Sequence, residues 1–229
     1  MESPAQVGSP QPDELRRTLP YVLPFAVFIA FLALKQFFDV PQWLKFAAPL
    51  AAAAFVSREA LGKRLVSPLL SVALGVAVCA IWVGPEILFP GYHGAALFSN
   101  GLLGHPVSAA TPAQKSDTVF IVLRVLTSVM TVPILEELFW RGWLMRWLID
   151  PNFERVPLGT YGSMAFWAVA ALFASEHGSF WDVGLVTGVI YNWWMLRTKS
   201  IWDCVLMHAV TNACLAWYVL QYDQWMYWL

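Results

Sequence analysis

The chain has 229 residues, of which 59% are apolar and only 13% charged, and its formal net charge is -1. So apolar a composition excludes an ordinary soluble domain, and with no basic stripe among the few Lys and Arg residues a nucleic-acid partner is excluded too. Cys79, Cys204 and Cys214 stand at unrelated spacings inside apolar runs, so they read as packing residues and not as a disulfide framework or a zinc cluster.

Residues 1–18 are rich in Pro, Ser and Gln and lack an apolar stretch followed by a small-residue cleavage site. They are expected to form a disordered cytoplasmic tail ahead of a single transmembrane domain, 19–229. Within it, apolar runs fall at 19–38, 43–57, 65–84, 118–149, 160–176, 182–197 and 201–221, separated by Pro, Gly and charged clusters. The expected fold class is all-α, a polytopic bundle of about seven to eight helices. The second and sixth runs are short for a hydrocarbon core of about 30 Å. The fourth is long: straight, it would reach about 48 Å, and Pro133 near its middle removes a backbone donor and should bend it. The segment from Gly84 to Asp117, dense in Pro and Gly among apolar side chains, reads as a loop lying at the interface. Many of the thirteen tryptophans, Trp43, Trp181, Trp202, Trp225 and Trp228 among them, fall near run ends, where amphipathic rings anchor at headgroup level.

Placing the amino terminus in the cytoplasm puts Arg16, Arg17, Arg58, Lys63, Arg64, Arg141, Arg146, Arg155, Arg197 and Lys199 on the inner side. Lys35, Lys45, Lys115 and Arg124 then lie outside or within a helix, as the positive-inside rule favours.

Chemistry enters with the fourth run, where Glu136, Glu137 and Arg141 stand among large apolar side chains. Each charge near a helix centre costs about 2.5–3.5 kcal/mol on insertion scales, so such residues are expected to face a cavity or one another. Glu137 and Arg141, four apart, share a helical face and can form an ion pair, which leaves Glu136 available to take a proton from water. Alternatively, Glu137 and Arg141 form an interhelical pair near an interface and Glu136 is merely solvated. The fifth run ends in Phe173-Ala-Ser-Glu-His177 and the seventh contains His208-Ala-Val-Thr-Asn212. Both pairs have i, i+4 spacing, so Phe173 can stack beneath the His177 ring, and His208 with Asn212 can act as a two-donor unit suited to an oxyanion. The plainer alternatives are an interfacial His177 and an interhelical hydrogen bond from His208 and Asn212. Glu176, at the run end, reads as solvated; His93 and His105 carry no assignment. With no His-Glu-x-x-His helix, no metal or other cofactor is called for.

Glu136-Glu137-Leu-Phe-Trp-Arg141, Phe173-x-x-x-His177 and His208-x-x-x-Asn212, in this order on successive apolar helices, resemble the three motifs of the CAAX-protease and bacteriocin-processing family. The resemblance covers about 118–215, and the chain is also similar to a bacterial subgroup that accompanies exosortase sorting systems. It implies a glutamate-dependent membrane endopeptidase of the bacterial inner membrane, acting on a peptide or protein substrate at the lipid bilayer. In that scheme Glu136 activates a water, His177 positions it, and His208 with Asn212 stabilises the tetrahedral oxyanion, with Glu137, Arg141 and Phe173 in support. Its rival is a non-catalytic membrane scaffold or bacteriocin-immunity protein that keeps the same polar network; a transporter lacks paired broken helices in repeated halves. If the fourth helix begins near residue 128, Glu136 lies about 12 Å from its outer end. The cavity then opens away from the cytoplasm, whereas prenyl-protein members of the family open towards it.

Overall fold

The structure, a computed structural model, describes residues 12–34, 37–62, 64–108 and 110–228, with side chains from residue 15 onward. Seven principal helices follow the seven apolar runs: α1 (Pro12–Leu34), α2 (Gln42–Val56), α3 (Pro68–Leu88), α4 (Thr118–Trp147), α5 (Ser163–Ser175), α6 (Trp181–Thr198) and α7 (Ile201–Tyr222). Among the described residues no β-sheet forms. Of the expected tail, residues 1–11 lie outside the described residues, while Pro12–Thr18 make the first turns of α1. Lys35 and Lys63 of the charge count lie outside them as well.

Four helices, Leu15–Leu34 within α1, then α3, α4 and α7, are long and apolar enough to cross a membrane, while α2 and α5 are shorter apolar helices. Phe55, Leu69, Met164, Trp167 and Trp217 point outward, as in a bundle whose surrounding solvent is hydrocarbon. The chain is an integral membrane protein. Between α3 and α4, the Gly- and Pro-rich segment forms turns and two short helical pieces, Tyr92–Gly94 and Pro112–Ser116.

Small residues set how closely the helices approach. A Cβ on Gly75 of α3 would come within 2.6 Å of the Met207 carbonyl of α7, so these two helices meet backbone to backbone. Gly184 and Gly188, one turn apart on α6, press against Ala174 and Ala170 of α5, the small-xxx-small packing of membrane helices. In the first turn of α7, Asp203 is fully buried and accepts from the amides of Val66 and Ser67, each at 2.6 Å, and from Ser71 Oγ at 3.1 Å. That carboxylate fixes the chain leading into α3 against the start of α7.

Prolines inside helices leave carbonyls without an amide partner, and side chains from other elements answer two of them. Pro24 cannot donate to Pro20 O, which receives Ser57 Oγ at 2.5 Å. Around Pro133 the register of α4 changes: the helix passes through two π-helical stretches, Thr127–Thr131 and Leu138–Leu144. The Val132 amide bonds five residues back to Thr127 O. In that register Ser128 O would pair with the amide of residue 133, which proline lacks, and Asn212 of α7 donates to it instead at 2.7 Å. Glu136 and Glu137 lie on the α-helical turn Val132–Glu137 between the two π stretches. Such stretches reset the face that a helix presents and recur at functional sites.

Candidate active site

Arg141 has no exposed surface, and neither does Glu137. Two charges held so deep depend on each other and on the bonds they make, and Glu137 Oε2 and Arg141 Nη2 have no hydrogen-bond partner among the described residues. Arg141 Nη1 donates to Glu137 Oε1 at 3.2 Å and Nε to Asn192 Oδ1 at 3.0 Å, while the guanidinium lies 4.8 Å from the Phe173 ring centre and 5.3 Å from that of Tyr191. Asn192 passes the link on, Nδ2 donating to Phe166 O at 2.8 Å. One guanidinium thus joins α4, α5 and α6. Phe173, expected to fix His177 alone, also supports Arg141.

The same Glu137 oxygen takes a second bond, from His208 Nδ1 at 3.0 Å. His177 is held similarly: Nδ1 donates to Phe173 O at 2.7 Å, the Phe173 ring stacks at 4.7 Å, and the Trp82 indole meets it edge-on at 5.2 Å. Trp82 is itself fixed by a bond from Nε1 to Thr187 Oγ1 at 2.9 Å. Gly184 makes room for the imidazole, since a Cβ there would lie 3.2 Å from His177 Nδ1.

These bonds decide what each ring can do. A carbonyl oxygen only accepts, so His177 Nδ1 carries the hydrogen and a neutral ring presents a lone pair at Nε2. His208 Nδ1, facing the Glu137 carboxylate, carries a hydrogen for the same reason. It is therefore a donor at Nε2 only as an imidazolium. The pairing of His208 and Asn212 as two free donors is modified accordingly: one amide hydrogen of Asn212 is committed to Ser128 O, and the other remains.

Glu136, His177, His208 and Asn212 line one cavity of about 260 Å³, together with Glu176, Phe173, Trp82, Tyr191 and Ser128. Glu136 Oε2 is buried and has no hydrogen-bond partner among the described residues. Glu137 and Arg141 are packed behind this wall. Every candidate residue from the sequence is therefore at the cavity or directly behind it. The reading of Glu176 as a solvated run end does not extend to its place in the lining, and the sequence carries no signal for Tyr191 and Trp82 in that lining or for Asn192 on Arg141 behind it, types common in any apolar helix. Among the described residues no group of three or more His, Cys, Asp and Glu side chains is placed to hold a metal ion.

Helix α4 starts at Thr118, ten residues before the start assumed in placing Glu136 near its outer end. Glu136 thus lies about 27 Å along the helix from that end, and it shares the cavity with His177, which follows α5, a helix about 20 Å long. The site is inside the bundle, where a carboxyl, a histidine lone pair and amide donors converge on a space large enough for part of a peptide.

Residues 118–214, from the start of α4 through most of α7, match the family described as type II CAAX prenyl endopeptidase Rce1-like. The match, which spans less than half of the chain, supports the resemblance of this region to the CAAX-protease and bacteriocin-processing family. No curated protein and no solved structure matches the chain.

Proposed function

We propose that the protein is an intramembrane endopeptidase that hydrolyses a peptide bond with a water activated by Glu136. The observation that carries this reading is the convergence of Glu136, His177, His208 and Asn212, from α4, the end of α5 and α7, on one cavity in which Glu136 Oε2 has no protein partner. Glu136 takes a proton from the water as it attacks, and the His177 Nε2 lone pair orients that water. The oxyanion that forms is held by the remaining Asn212 amide hydrogen and by His208 as an imidazolium, whose charge the Glu137 carboxylate balances. Arg141 and Asn192 hold Glu137 from behind the cavity wall, and Phe173, in the wall, holds His177. The substrate is a peptide or protein segment entering from the bilayer.

The test is hydrolysis of a library of internally quenched peptides by the detergent-purified protein. Glu136→Gln is expected to abolish cleavage while its melting temperature stays at the wild-type value, and cleavage is expected to survive a chelator. The scaffold reading predicts the reverse for Glu136→Gln: a loss of folding and no turnover to lose. Inhibition by the chelator would move His177 and His208 from water positioning and oxyanion binding to metal ligation.

A further inference from the structure

We infer that Glu176 is the group that protonates the leaving amine, an inference that rests on the reading of Glu136 as the base. Peptide hydrolysis needs two proton transfers at different places, one away from water and one onto the departing nitrogen, and the lining offers few groups able to make the second. The His177 ring gives its one hydrogen to Phe173 O. Asn212 donates without releasing a proton, and His208 is committed to Glu137 on one side and to the oxyanion on the other. Of the residues facing the space, Glu176 is the second carboxyl, next in the chain to His177 and close enough to Glu136 for their charges to interact. It is exposed where Glu136 is partly buried, so it stands at the mouth while Glu136 stands deeper.

The charges at this end of the cavity also count in its favour. Ionised Glu136 and Glu137 are balanced by Arg141 and an imidazolium His208, so an uncharged Glu176 adds no unpaired charge to the set. Arg124, which also lines the cavity, is twelve residues from Glu136 on α4, about 18 Å along the helix, and lies 5.9 Å from the Trp228 ring centre.

In the proposed step the water oxygen bonds to the carbonyl carbon as Glu136 takes one of its protons, and the carbonyl electron pair moves onto the oxyanion. When that pair returns, the carbon–nitrogen bond breaks, its electrons remain on nitrogen, and nitrogen takes the Glu176 proton. The products are an acid and an amine. Transfer of the proton held by Glu136 to the Glu176 carboxylate restores the starting state.

The experiment compares two substrates of one sequence: the library peptide that the wild type cleaves fastest, and its counterpart with the scissile amide replaced by a thioester. A thiolate, the base of a thiol with a pKa of about 8.5, leaves without a proton, whereas an amine does not. Glu176→Gln is expected to lower kcat on the peptide by about 10²- to 10⁴-fold with KM unchanged, the usual worth of a general acid, and to leave thioester cleavage close to wild type. Glu136→Gln is expected to lose both. Equal loss on the two substrates, or no loss on either, overturns the role of Glu176. Retention of peptide cleavage by Glu136→Gln would instead strike the reading of Glu136. If Glu176→Gln does not fold, Glu176→Asp, which keeps the acid on a shorter arm, must show the same loss confined to the amide in weaker form.

Discussion

Replacing Arg141 by Met tests whether the polar network behind the cavity is a support for the bundle or part of the chemistry. Arg141 and Glu137 have no exposed surface, and the substitution keeps bulk between Phe173 and Tyr191 while removing the bonds to Glu137 Oε1 and Asn192 Oδ1. Breaking a buried pair by removing one partner costs about 3–5 kcal/mol, because the other charge stays buried. For a chain of this size about 1 kcal/mol shifts the melting temperature by about 2–4 °C, so Arg141→Met should melt about 6–20 °C below wild type. Glu137→Gln removes the stranded charge, and the double variant should recover about 0.5–3 kcal/mol relative to the sum of the single changes. Thermal unfolding of the detergent-purified proteins, followed by far-UV circular dichroism, reads all three. A single variant melting within 2 °C of wild type, or strict additivity in the double, would refute the claim that the pair is held together by burial.

The two glycines of α6 should separate activity from packing. Gly184→Ala places a methyl 3.2 Å from His177 Nδ1, and is expected to lower kcat in the peptide assay more than it lowers melting temperature. Gly188→Ala meets the Ala170 backbone at 3.1 Å and should instead cost about 1–3 kcal/mol through overpacking, with less effect on kcat in the folded fraction. Asn212→Ala strips Ser128 O of its donor, a loss of about 1–3 kcal/mol, and adding Pro133→Ala, which restores a backbone amide within the π register, should return part of it in the same melt. No recovery would show that the proline is not what leaves that carbonyl unpaired. In the segment between α3 and α4, buried His93 bridges Glu86 Oε1 and Asp182 Oδ1, each at 3.1 Å, and stacks 4.4 Å from Phe180. His93→Leu should open this bridge and raise amide exchange in residues 89–106 by about 5- to 150-fold, the equivalent of about 1–3 kcal/mol, with α7 unchanged.

The apolar runs and their punctuation determined the helices, because a bilayer admits only segments that satisfy their own backbone groups, and each of the seven principal helices lies over its run. The same cost of burying charge made Glu136, Glu137 and Arg141 legible as a functional cluster, and i, i+4 spacing marked Phe173 with His177 and His208 with Asn212. What spacing along one helix could not say is which group meets which across helices. Pro133 signals a disturbed backbone in the sequence, but only the packed bundle shows the π register beside it and brings Asn212 to the carbonyl it leaves. Likewise, the pair Glu137 and Arg141 could be read from one helix face, whereas the third member, His208, comes from 71 residues away and settles which ring nitrogen carries a hydrogen. Glu176 shows the same limit from the other side: a charged residue at the end of an apolar run looks solvated, and only the packed bundle brings it to the mouth of the cavity.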